Sequence, residues 1–153
     1  REDIAREILS QVKLRRIDKH IEPDGAQPHE LARTKSLGYS RMNLDGLFRL
    51  AAMADKLGID LWNYESPDAR SLRKALDFLA PFADPAKQWT YKQITSYSPA
   101  GLFSLLRRGS IAYKDPKYET LISKIPARDI ETSRTNLLWP RHNSPSQSSP
   151  EKD

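Results

Sequence analysis

The chain has 153 residues, a net charge of +5 and a pI near 9.5, a length that fits one domain with enough surface to bury a core. It contains no cysteine, which excludes disulfides, thiolate nucleophiles and cysteine-based zinc sites, and no apolar run approaches the ~20 residues that span a bilayer. The basic balance suits a polyanionic partner, whether nucleic acid, an anionic surface or an acidic polysaccharide, or simply a solvated surface.

Taken in chain order, Ile4, Ile8, Val12, Ile17 and Ile21 fall at or near helical spacing and predict an amphipathic helix from about Glu2 to His20. The chain enters this pattern at once, with no signal peptide and no initiator Met, and so reads as an internal or C-terminal piece of a longer protein. Glu22-Pro23-Asp24-Gly25 is a turn signal. From Asp24 to about Tyr39 the periodicity disappears, leaving a long polar loop of the kind that more often carries function than structure. Leu44, Leu47, Phe48, Ala51, Ala54 and Leu57 form one face of a second helix, with Gly58 as its C-terminal cap. An aromatic connector, Asp60 to Tyr64, precedes a third helix in which Asp68 is the expected cap and Leu72, Ala75, Leu76 and Leu79 the buried face, stopped by Pro81. Ser98-Pro99 and Asp115-Pro116 open a fourth and a fifth helix, the latter ended by Pro126. A last short helix is expected from Ile130 to Leu138. From residue 142 onward Ser, Pro, Asn and Lys predict a disordered tail, which places the folded portion at 1–141. The class is all-α, with helices paired antiparallel through short loops.

The polar loop holds the densest cluster of reactive side chains: His29, Glu30, Arg33, Lys35 and, at its end, Tyr39. Arg15, Arg16, Lys19, Lys35 and Arg41 flank it, as a basic subsite or as solvated helix faces. Arg33 is a carboxylate fork or a partner of Glu30; Tyr39 is a reactive phenol or a packing residue at a helix entry. His20 reads as a helix-end histidine and His29 as a loop residue. Trp62, Tyr64, Trp89 and Trp139 read as packing, and Arg107-Arg108 as surface.

The segment from Asp24 to Leu72 resembles the alginate lyase domain family. It carries an acidic-Gly turn at Asp24-Gly25, Glu-Leu-x-Arg at Glu30 to Arg33, Tyr39 ahead of Asn43-Leu44, and Gly58-x-Asp60-Leu61. The resemblance covers about Arg16 to Leu79 well and runs more loosely to Leu137-Leu138-Trp139-Pro140. It implies the C-terminal half of an incomplete toroid of α-helix pairs, from a secreted or periplasmic enzyme that cleaves alginate or a related polyuronate by β-elimination. It implies catalytic roles for Arg33 and Tyr39, and the flanking Arg16, Glu30, Lys35 and Arg41 are then candidates to bind substrate. Elimination of this kind removes the proton beside a uronate carboxylate, so a cation must neutralise the carboxylate, and an acid must protonate the leaving oxygen. No cofactor or metal is needed, and no nucleic-acid or membrane partner is expected. Two departures from the best-known bacterial alginate lyases stand out: the Arg33-to-Tyr39 spacing is one residue shorter, and Ser40 follows Tyr39 where they tend to have a histidine. The family's Asn–His pair maps upstream of Arg1, and neither His20, His29 nor His142 follows an Asn. The chain alone is therefore not expected to be a complete catalytic unit. The alternative is a non-catalytic helical module that binds acidic polysaccharide; a nucleic-acid binder is disfavoured by the absence of helix-turn-helix, zinc or RNA-binding signatures.

Overall fold

The structure is a computed structural model that describes residues 1–141; the predicted tail lies outside the described residues. Among the described residues the chain is all-α, with one isolated antiparallel bridge between Lys35 and Gln93. No helix among them is long and apolar enough to cross a membrane.

The predicted first helix is interrupted. α1 (Glu2–Ser10) gives way to a π turn at Lys13–Ile17 and then to α2 (Asp18–His20). The apolar stripe explains the break: its steps are four residues except between Val12 and Ile17, where the step is five. The wider i to i+5 turn absorbs that extra residue and keeps Ile17 and Ile21 on the buried side with Val12. Ile4 and Ile8 are more than half exposed, and Leu9 takes the buried position on α1 instead.

The predicted loop is more ordered than its polarity suggests. α3 (Pro28–Leu31) lies within it, and α4 (Ser36–Asp55) begins before Tyr39, so Tyr39 belongs to the first turn of a helix rather than to its approach. α4 is the central element: it packs against α1, α3, α5 and α6, and buries Leu37, Leu44, Leu47, Phe48, Ala51 and Ala54. Gly58 closes it as expected, in the left-handed region at φ +70°, while the Ile59 N–H donates to Ala54 O at 3.0 Å.

α5 (Leu72–Leu79) is capped by Ser71, whose Oγ accepts from the Lys74 N–H, and not by Asp68. Asp68 lies a turn too early and instead accepts from the Ser66 hydroxyl and Arg70. A 3-10 turn at Pro99–Leu102 leads into α6 (Phe103–Tyr113), with Ser98 Oγ accepting from the Ala100 N–H. Asp115 caps α7 (Pro116–Ile122) as predicted. Pro126 does not end α7 but precedes α8 (Ala127–Ile130); the expected last helix is split between α8 and α9 (Thr135–Leu138).

Arg107 and Arg108 are corrections to the surface reading. Both are 6% exposed. Arg107 pairs with Glu119 at 2.9 Å and Arg108 with Asp45 at 2.6 Å, and the Arg108 guanidinium also lies over the rings of Phe48 and Trp139. Neighbouring α6 and α7 pack closely, with Tyr118 wholly buried and its hydroxyl donating to Asp77 at 2.7 Å.

Candidate active site

The turn before α3 is built by its own side chains. Asp24 Oδ1 accepts from the Ala26 N–H, and Glu22 N–H closes the loop onto Ala26 O at 2.8 Å. Gly25 sits at φ +90° against α5, where a Cβ would run into the Lys74 carbonyl, so only glycine fits. The next residue but one, Gln27, is 1% exposed and fully used: Nε2 donates to Ser40 O at 3.1 Å and Oε1 accepts from Asn43 Nδ2 at 2.8 Å. That clamp fixes α3 against the first two turns of α4.

A second fastening comes from far along the chain. Ser36, itself fully buried, donates from its backbone N–H and its hydroxyl to Lys92 O, and its Oγ accepts from Trp89 Nε1 at 2.8 Å. The Leu37 N–H donates to Gln93 Oε1, and the Ile94 N–H to Thr34 O at 2.9 Å. Lys35, the residue at the cap position, offers no side-chain acceptor, so the 89–94 strap satisfies the helix start that the local sequence leaves open.

Between these two fastenings stand Arg33 and Tyr39. The Arg33 guanidinium carbon lies 3.6 Å from the centre of the Tyr39 ring, a stacked cation–π pair. Arg33 is exposed and Tyr39 half-buried. Glu30 does not pair with Arg33, so the stacking ring, not a carboxylate, holds the guanidinium. Glu30 acts on His20 instead. His20 and His29 meet edge to face with centroids 6.2 Å apart. Burial, then the cations of Arg16 and the ring of His29, push the His20 imidazole below the usual histidine range, with Glu30 opposing. His20, His29, Arg16 and Glu30 thus form one cluster beside the loop. Lys35 and Arg41 go elsewhere: both line a separate cavity between α4 and residues 93–102.

The sequence reading gave no positioning role to Gln27, Ser36, Asn43, Trp89 or Gln93, which hold the loop and the start of α4 in place; Asn43 entered it only through the motif and Trp89 only as packing, and the contacts they make span up to 56 residues. Among the described residues no group of three or more His, Asp or Glu side chains is placed to hold a metal ion.

Comparison with known proteins places the chain in a family. The sequence profile of the family described as alginate lyase matches residues 1–89, which include Arg16, His20, Arg33, Tyr39 and the strap as far as Trp89. The crystal structure of an alginate lyase from Bacteroides ovatus at 1.60 Å superposes with a TM-score of 0.80 and 34% sequence identity, over 90% of this chain. The chain spans 37% of that protein's length. No curated protein matches.

Proposed function

Since the chain belongs to the alginate lyase family, we propose that it carries part of the active site of a polysaccharide lyase that cleaves alginate or a related polyuronate by β-elimination. The observation that carries this reading is the Arg33–Tyr39 stack, held from both sides by Gln27 and the strap. Arg33 takes the uronate carboxylate in its planar fork, removing the negative charge that keeps the C5 proton from leaving. The C5–H bond breaks, its electrons form the C4–C5 double bond, and the C4–O bond of the glycosidic link breaks. On linkages that present the C5 proton to the same side as the departing oxygen, Tyr39 takes that proton as base and returns it to the oxygen as acid; on the others it supplies the acid alone, and the base that takes the C5 proton belongs to the part of the active site this chain does not carry. Arg16 and Glu30, with His20 and His29, border the sugar that flanks the reacting one.

Incubating the full-length protein with polymannuronate, polyguluronate and a glucuronan tests the reading. The new double bond, conjugated with the carboxylate, absorbs in the ultraviolet. A rise on one polymer establishes the reaction and names the sugar; a folded protein that binds a polyuronate but gives no rise on any of them is a binding module instead.

A further inference from the structure

We propose that the cavity between the first turns of α4 and residues 93–102 is a second uronate subsite, with Lys35 and Arg41 as its carboxylate-binding cations. This inference rests on the polyuronate reading above. The cavity holds about 300 Å³, at the lower end of ligand pockets and large enough for a single sugar ring. Its floor is apolar: Leu37 and Leu102 are buried beneath it, and Gly38 and Gly101 present bare backbone. Such a floor suits the C–H face of a pyranose.

The cations at its edge are uncommitted. Neither Lys35 nor Arg41 forms an ion pair or side-chain hydrogen bond among the described residues, and both are exposed. The Arg41 stem rests at ordinary contact distance from Gly101, 3.7 Å from where a Cβ would sit, which directs the guanidinium along the cavity wall. Thr95 and Ser96 complete the wall opposite α4. That wall is preformed, because the strap hydrogen bonds at Ser36, Leu37 and Ile94 anchor residues 92–94 to the helix start.

The geometry also gives the ligand class. Gly38 lines the cavity and is the chain neighbour of Tyr39, while Tyr39 and Arg41, two residues apart in a helix, project to nearly opposite sides of α4. One sugar cannot touch both. A chain of uronates crossing the N-terminal tip of α4, past Lys35, places one residue at Arg33 and Tyr39 and another in the cavity. The site therefore selects an oligomer carrying carboxylates on more than one sugar, not a monosaccharide.

Amide NMR titration of the chain with a saturated tetrauronate tests this, comparing the wild type with the Lys35→Gln/Arg41→Gln double variant and with Arg33→Gln. Both altered cations are exposed, so the variants keep the fold. The wild type is expected to show two sets of shifted amides, one at Arg33 and Tyr39 and one at Gly38, Thr95, Ser96 and Gly101. The double variant loses the second set and binds about tenfold more weakly, the worth of one charged hydrogen bond, while Arg33→Gln loses the first set. Shifts confined to the first set in the wild type overturn the subsite and leave the lyase reading intact. No shift in either set at millimolar tetrauronate, or equal binding of the carboxyl-reduced tetrasaccharide, overturns both.

Discussion

The chain contains two Arg-Arg pairs that look alike in sequence and differ in every physical respect. Arg107-Arg108 on α6 is buried and spent on structure, pairing with Glu119 and Asp45. Arg15-Arg16 lies exposed on the π turn, with no carboxylate partner among the described residues. The contrast extends to the regions around them. Near α5 to α7, Arg70 bridges Glu22 and Asp68, Arg73 meets Asp115, and Lys117 meets Asp77. Near the site, Lys13, Arg15, Arg16, Lys19, Arg33, Lys35 and Arg41 form no ion pair among the described residues, although Asp18, Glu22, Asp24 and Glu30 are interspersed with them. Asp18 is occupied by the Tyr64 hydroxyl, Glu22 by Arg70 and Asp24 by its own turn. Three of these four acids are turned to structural use, with Glu30 the exception, and the cations are left available for the proposed polyanionic substrate.

The sharpest way to break this division is at the proposed reacting pair. Tyr39→Phe keeps the ring under Arg33 and removes only the phenolic proton. Turnover of the susceptible polyuronate, read by ultraviolet absorbance, is expected to fall by about 10²- to 10⁴-fold, with binding of the polymer nearly unchanged. Retained turnover would remove Tyr39 from the chemistry.

The next test sets the two arginine regions against each other. Arg108→Ala removes a buried guanidinium packed on Phe48 and Trp139 and leaves Asp45 with Arg49 as its one remaining ion-pair partner among the described residues, and is expected to cost about 2 kcal/mol of stability by urea unfolding. Arg16→Ala, on an exposed and unpaired side chain, is expected to cost under about 0.5 kcal/mol, yet to weaken polyuronate binding. Similar stability losses from both, or no binding loss from Arg16→Ala, would erase the distinction.

How much of this was legible beforehand follows from where each signal lives. The faces of α4 and α5, the Gly58 closure and the Asp115-Pro116 start are local, set by spacing and backbone preference, and they stand in the structure as read. The boundaries failed where a distant group replaced a local one. Nothing near Ser36 announces a helix start, because its acceptors come from Lys92 and Gln93. Arg107-Arg108 reads as surface because charge normally is, and only the fold brings Asp45, 63 residues away, into reach. The same holds for the site. Arg33 and Tyr39 were singled out through their motif, and the structure stacks them, but the grouping of Arg41 with Lys35, away from Tyr39, depends on where residues 93–102 come to rest.

The smallest expected effect probes the same division through protons. His20 sits among the unpaired cations, and its folded pKa lies below the usual 6.5 because of burial first and the Arg16 charge second. In the unfolded chain it takes a proton near 6.5; in the folded chain it does so only at lower pH. Between those two values the unfolded state binds more protons, so acid favours unfolding there. The contribution is fully present above pH 6.5 and is lost as pH falls through that window. Thermal melts of His20→Gln should therefore parallel the wild type above pH 7 and decline less steeply below 6.5. A bound polyuronate reverses the sign locally: its carboxylates offset Arg16, raise the imidazole's proton affinity and make binding take up a proton. Affinity for the polymer should then strengthen as pH falls from 7 towards 6, and this strengthening should be weaker in His20→Gln. If the two proteins share one pH dependence of binding, the polymer does not pass the His20–His29 cluster, and the free cations around Arg16 serve some surface other than the one that leads to Tyr39.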